Sequence, residues 1–365
     1  STVCDDQGRK MSKSLGNGID PLEIVEEFSA DSLRFTILNL APIGQRIRLS
    51  KEKFANGSKF ANKIWNVSRY ILMNLNSDFV SDIKKVKLDI VDKWILSRLT
   101  KASKEIERHF ERFRFSDATR IIFDFIWHDF CDWYVELSKI KLYRGNDEER
   151  KTATSVLIFV LDNALRLLHP IMPFITEEIW QKLPLKRSEI SIMTSEYPVY
   201  DKKLINENSE ELMSVLMEVI GCVRNIRGEM SIPPSQKLNL FVQTNNAKVE
   251  TVLGEHPDYL KILSGVDKIE FSSTISKPPK SAVSVGNGFE VYVPLEGIID
   301  FEKEKARIQK EIIKNEKDME KTLAKLNNEN FIKNAPADII EKERAKEEEF
   351  FGNISRLKEN LKKLY

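Results

Sequence analysis

"SKEKFANGSKFANKIWNVSRYILMNL", residues 50–75, decides how the chain is read. Phe54, Ala61, Ile64, Trp65, Ile71 and Leu75 keep the three-to-four spacing of one helical face, and Ser50 stands where a hydroxyl caps a first turn. Trp65 is expected in the core. A long amphipathic helix has to bury its apolar stripe against others, and the sequence on either side offers them. Trp94, Ile95, Leu99, Ala102, Ile106 and Phe110 repeat the pattern. Ser116 opens a third helix carrying Ile121, Ile122, Phe125, Trp133, Leu137 and Ile140. A fourth runs from Thr152 to Leu168 and stops at "HP", and Thr176 starts a shorter one with Glu177 and Glu178 in its first turn, where the helix dipole favours acid. Short polar links between these helices predict an antiparallel bundle of about 150 residues.

Towards the N-terminus, Pro21 to Leu40 reads as two short helices, opened by "DP" at 20–21 and closed by the break "APIGQ" at 41–45. Residues 1–18 read as loop. Beyond Tyr200 the pattern changes. A helix bearing Leu212, Leu216, Val219, Ile220 and Val223 ends near "RGEMSIPP"; "KLNLFVQT", "KIEFS", "SAVSV" and "FEVYVPL" alternate as strands, with 247–264 helical between them. This is a small α+β unit. The last 65 residues are rich in Lys and Glu. Phe301, Ile308, Ile312, Met319, Leu323 and Leu326 mark one amphipathic helix. Ile340, Ile354 and Leu361 share one heptad position of a second, and Phe350, Leu357 and Leu364 share the other. "NNENFIKNAPAD" at 327–338 turns between them, giving a coiled-coil hairpin whose seam is weakened by Glu343 and Glu347. The fold class is mainly α.

Fifty-seven basic against fifty-six acidic side chains leave a net charge of +1. That excludes a protein that coats nucleic acid through its overall field, so any such contact rests on local patches. Cys4, Cys131 and Cys222 form no C-x-x-C pair, which argues against a cysteine zinc site and fits a reducing cytoplasm. No apolar run approaches the roughly 20 residues of a membrane span. The chain opens without Met in "STVCDDQG" and reads as a cut end inside a longer protein.

Two stretches carry chemistry. In "GRKMSKSLGN", residues 8–17, Lys10 and Lys13 are flexible cations suited to phosphate oxygens, Ser12 and Ser14 offer hydroxyls, and Gly8, Gly16 and Gly18 permit motion. A mobile loop closing over a polyphosphate fits them; a Walker loop does not. Residues 46–70 hold seven basic residues and one acid, with aromatics interleaved. There Lys59, Lys63 and Asn66 fall near one helical face with Asn62 beside it, a surface for phosphates and RNA. A third stretch, "DFCDWYVELSK" at 129–139, is read as structural: Trp133 and Leu137 pack, and Asp129, Asp132 and Glu136 pair with bundle cations. Asp31 and Arg34 are expected as an ion pair.

"KMSKS" within "DDQGRKMSKSLGNGIDP", followed by "ADSLRF" and "NKIWNVSRY", resembles the signature loop of class I aminoacyl-tRNA synthetases. The resemblance implies ATP binding by Lys10, Met11, Ser12, Lys13 and Ser14. On the same resemblance, Lys10 and Lys13 are expected to assist formation of the aminoacyl adenylate, with Lys13 the principal triphosphate contact. It also implies tRNA contacts by Arg46, Arg48, Lys59, Asn62, Lys63, Asn66 and Arg69. Arg46 stands where relatives usually carry an acid, and Gly18 where an apolar residue is common. None of His109, His128, His169 and His256 lies in a His-x-Gly-His motif. The rest of the nucleotide-binding domain is therefore expected before Ser1, and the chain by itself should not aminoacylate.

"VPLEGIIDFEKEKARIQKE" with "KLNNENFIKNAP" resembles the tail of the valyl-tRNA synthetases, an arm that leans on the tRNA elbow. The cysteine-bound zinc module of isoleucyl relatives has no ligands here. The resemblance implies four parts: 1–48, the end of the catalytic domain with a stem-contact region; 49–200, a helical anticodon-binding domain; 201–297, a small α+β domain; and 298–365, the coiled-coil arm. The partners implied are tRNA(Val), ATP with Mg2+, and valine held by the missing half, in a cytoplasmic monomer with no metal site of its own in these residues. The competing readings are an isoleucyl or leucyl synthetase fragment and a non-catalytic tRNA-binding scaffold.

Overall fold

The computed structural model describes residues 2–41, 44–75, 79–299, 301–328, 331, 333 and 337–363. The chain forms two compact units, Ser1–Met213 and Ser214–Tyr365.

The first unit begins with β1 (Val3–Cys4), paired in parallel with β2 (Ile47–Arg48). A parallel pair needs a crossover, supplied by α1 (Pro21–Phe28) and α2 (Ala30–Asn39), the two short helices expected. Asp20 caps α1 through its carboxylate, and Pro21 fills the first turn. Ile24, Ile47, Leu49 and Phe54 form the small core beneath, with Val3 and Met11 packed against it.

The bundle follows. It comprises α3 (Lys51–Met73), α4 (Ile90–Glu111), α5 (Phe115–Asp124), a ten-residue π-helical segment (Phe125–Tyr134), α6 (Val135–Arg144), α7 (Asp147–Leu168) and α8 (Pro173–Trp180). Ser50 is the N-cap residue of α3, but its hydroxyl accepts no backbone amide. The α4 and α7 starts carry full capping boxes, Asp89 with Asp92 and Asn146 with Glu149. The third helix starts at Phe115, one residue before the expected Ser116, whose hydroxyl donates instead to the Asn39 carbonyl. The short helix starts at Pro173 rather than Thr176.

Trp65 corrects the reading of α3. The buried face is Phe54, Gly57, Phe60, Ile64, Ser68 and Ile71, and Trp65 lies one step round from it with 37% of its surface exposed. Gly57 is part of that face because a Cβ there would meet the Ser32 carbonyl at 2.8 Å. The aromatic core position belongs to Phe60, which packs with Phe35 and Phe123 at ring separations of 4.9 and 5.0 Å.

The boundary between units falls within α9 (Glu207–Glu229). In the second unit β3 (Leu238–Thr244), β4 (Val266–Ser272), β5 (Ser281–Gly286) and β6 (Phe289–Pro294) form one sheet in the order β4-β3-β6-β5. The parallel β3–β4 pair encloses α10 (Ala247–Glu255) and α11 (Pro257–Ser264), and β5–β6 is a hairpin turning at Asn287–Gly288, where Gly288 has φ +82°. The strands and helices expected for the α+β unit are all present.

Helices α12 (Phe301–Leu326) and α13 (Ala337–Lys363) pair antiparallel, as ion pairs Glu316–Lys358 and Lys325–Glu343 require. Ile308, Ile312 and Ile354 are buried in the seam. Thr322 and Glu343 are buried there too, and Glu343 is held at 2.6 Å by Lys346. The expected turn residue Pro336 and the heptad residue Leu364 lie outside the described residues.

Candidate nucleotide loop and nucleic-acid interface

The lysine loop hangs from β1. Met11 donates its amide to the Val3 carbonyl at 3.0 Å, and Asp5 donates to the Arg9 carbonyl at 2.9 Å, so Asp5 to Arg9 is a tight turn in which Gly8 has φ +77°. The Asp5 carboxylate fills this turn. It accepts from the Gln7 and Arg9 amides at 3.1 and 2.9 Å, from Arg9 Nε at 2.8 Å and from Asn17 Nδ2 at 2.9 Å. These donors, Asn17 first and then Arg9, hold its pKa down at about 2. Beyond Met11, the Ser12 hydroxyl caps the single turn Lys13–Leu15, accepting the Leu15 amide at 3.3 Å, and sits 3.1 Å from the Ser14 hydroxyl. Gly16 closes the turn with φ +60°.

Lys10 and Lys13 are exposed, and neither pairs with an acid among the described residues. Their charges are available to an incoming anion. Met11 differs from its neighbours: it is half-buried on the β1–β2 core and anchors the loop instead of facing out with the lysines. Because Cys4 and Arg48 are register partners, Arg48 lies beside the loop, close enough for a Cβ on Gly8 to meet its guanidinium at 3.7 Å. Arg46 is also exposed at this edge.

On α3, Lys59, Asn62, Asn66 and Arg69 are all exposed and follow one another at three- and four-residue steps, with no acid on that line. Trp65 borders it. Lys63 does not belong to the line as expected. It is half-buried, ion-paired with Asp132 of the π-helical segment and set 3.9 Å from the centre of the Trp127 ring. A four-residue step carries it round the helix from Lys59 towards that segment.

The acids of 129–139 have structural partners. Asp129 pairs with Arg98 at 2.8 Å and Glu136 with Lys139 at 2.6 Å, while Leu137 is fully buried. Burial raises the Asp129 carboxyl against the pull of Arg98, and lifts the buried Cys131 thiol to about 12, so it stays protonated. Asp31 and Arg34 are structural but not an ion pair. Asp31 accepts the Phe174 and Ile175 amides at 3.2 and 2.7 Å, capping α8. Arg34 donates to the Pro170 and Ile171 carbonyls at 2.9 and 3.0 Å. They grip opposite poles of one link, which no local spacing reveals.

Among the described residues no helix is long and apolar enough to cross a membrane.

Three family descriptions match in order along the chain: tRNA synthetases class I (I, L, M and V) over residues 1–50, the anticodon-binding domain of tRNA ligase over 92–242, and the valyl tRNA synthetase tRNA binding arm over 300–365. The chain is similar to the valine–tRNA ligase of Enterococcus faecalis, 42% identical across 99% of this chain and 41% of that protein. The Thermotoga maritima valine–tRNA ligase is 43% identical across 99% of this chain and 40% of its own length. The chain thus spans about two fifths of the length of the curated relatives it matches. Among solved structures, the Agrobacterium radiobacter K84 LeuRS–tRNA–LeuAMS complex aligns with a TM-score of 0.45 at 22% identity, over 56% of this chain and 24% of that one.

Proposed function

We propose, from the premise that this chain is the C-terminal portion of a class I tRNA synthetase of the valyl family, that it holds tRNA(Val) and presents the lysine loop to ATP for a ligase that joins valine to that tRNA. In the first half-reaction a valine carboxylate oxygen bonds to the α-phosphorus of ATP, the bond from that phosphorus to the departing pyrophosphate breaks, and valyl-adenylate remains. Charge gathers on the pyrophosphate oxygens. Lys13, seconded by Lys10, supplies cations there, and the Ser12 and Ser14 hydroxyls lie within the same turn. Mg2+ arrives with ATP as part of the substrate. Valine and the His-x-Gly-His motif belong to the remainder of the ligase, so this chain alone is inactive.

The tRNA is held in several places. Arg46 and Arg48 meet its stem beside the loop; Lys59, Asn62, Asn66 and Arg69 line its path on α3, with Lys63 reaching it only by giving up Asp132; and residues 298–365 lean on its elbow. The corresponding parts are 1–48, 49–200, 201–297 and 298–365, in a monomer of the cytoplasm. The carrying observation is the acid-free line on α3 together with two exposed lysines that no carboxylate neutralises among the described residues. Filter binding tests it: the chain should retain valine tRNA more tightly than isoleucine or leucine tRNA, and loss of 298–365 should weaken retention. Equal retention of all three tRNAs would overturn the valine assignment.

A further inference from the structure

Nothing in the side chains of Lys10 and Lys13 fixes where their charges point, since both are exposed and unpaired among the described residues. Their backbone is fixed from elsewhere. The Asn17 amide oxygen accepts the Ser12 amide at 3.0 Å, between the two lysines. The Asn17 amide nitrogen donates to the Lys10 carbonyl at 3.4 Å and to Asp5 Oδ2 at 2.9 Å. Asp5 follows the buried Cys4 directly, and its other oxygen accepts the Gln7 and Arg9 amides. One planar amide therefore ties both ends of the K-M-S segment to a carboxylate rooted at the end of β1.

We propose that Asp5 and Asn17 form a latch that sets the pose of the lysine loop, which makes them positioning residues for adenylate formation in the parent ligase. The proposal rests on the reading of Lys10 and Lys13 as phosphate ligands. Its physical content is preorganisation. A lysine on a freely moving loop loses chain entropy when it meets a developing charge, whereas a lysine on a fixed backbone loses only its own rotamers. The chemistry at residue 17 is demanding, because the site needs an acceptor and a donor on one flat group. Aspartate there would set a second carboxylate against Asp5, and alanine would leave the Ser12 amide and the carboxylate to water. Asn17→Asp is therefore more harmful than Asn17→Ala. Neither residue is in the core, so these substitutions spare the fold.

The test is a double-mutant cycle on valine-dependent ATP–pyrophosphate exchange in the intact ligase. Asn17→Ala should lower kcat roughly tenfold with KM for valine unchanged. In a background with both Lys10→Ala and Lys13→Ala the same change should cost no more than about twofold, because the latch acts through those two lysines. A full tenfold loss on top of the paired lysine substitutions, or no loss in the parent, would overturn the proposal. A second measurement separates this failure from failure of the phosphate reading. If Lys13→Ala leaves exchange normal, the phosphate role falls and the positioning role falls with it. The latch geometry is then judged alone by amide hydrogen exchange on the 365-residue chain. Asn17→Ala and Asp5→Ala should each speed exchange at Ser12 while leaving α3 unchanged; unaltered Ser12 exchange would remove the latch itself.

Discussion

Lys141 reaches Asp92 at 2.6 Å and Asp89 at 2.9 Å, and only 1% of the Asp92 side chain is exposed. Tyr134 donates to the same carboxylate at 2.8 Å. Burial raises the Asp92 pKa to about 6 despite the lysine, so charging this carboxyl in the fold costs free energy. The sign follows. A carboxyl with a raised folded pKa contributes most below its unfolded value, and that contribution disappears as pH rises through the folded value. Lys141→Met removes the compensating cation and should destabilise the bundle by about 3 kcal/mol at pH 8. The loss should shrink towards pH 5, where Asp92 escapes by protonation. Urea unfolding at the two pH values measures this, and equal losses would mean that Asp92 does not titrate in the fold. Asp31→Ala, which strips α8 of its two-amide cap, should cost about 1–2 kcal/mol in the same assay. The Lys10–Ser14 motif was readable from sequence because its residues are neighbours. The partners of Asp31, Arg34 and Lys63 were not, because they lie 69 or more residues away along the chain. Met11 was read with its motif, although its side chain follows the apolar core of β1 and β2.

Helix α3 shows where periodicity succeeds and where it stops. The buried positions repeat at three and four, so the helix and its length were legible. Trp65 next to Ile64 was ambiguous, because both fit a broad apolar stripe and the packing of Phe60 against Phe35 and Phe123 decides between them. The π-helical stretch Phe125–Tyr134 was illegible for a related reason: a wider turn shifts side chains round the axis while the same apolar composition remains. On the outer face, Lys59 and Arg69 are predicted to act through charge alone. Lys59→Glu with Arg69→Glu should weaken tRNA binding at least tenfold at low salt and leave the melting temperature within about 2 °C, since surface substitutions away from packed features change stability little. A melting shift well beyond about 2 °C would instead make this face part of the bundle's support.

With a net charge of +1, the molecule has no overall field to draw in RNA, so the proposed tRNA binding has to add up from separate patches. The fold class and the order of its parts were visible in composition and period: apolar helices, alternating strands, then a Lys- and Glu-rich hairpin. The seam of that hairpin was visible only in part. Glu343 sits buried between Lys325 and Lys346, so a position read as a weak point carries a satisfied charge. Separate patches predict separable salt dependence. Each neutralised phosphate contributes roughly −0.7 to −0.9 to the slope of log affinity against log salt. If the arm meets the tRNA elbow through phosphates, deleting residues 298–365 should reduce the steepness of that slope by at least one unit. Reversing Lys59 and Arg69 should reduce it further by an independent amount, about 1.4 to 1.8 for two phosphate contacts. Titrations of valine tRNA between about 50 and 200 mM salt decide it. An unchanged slope after deletion would show that the arm bears on another surface, while additive reductions would place RNA on both patches at once.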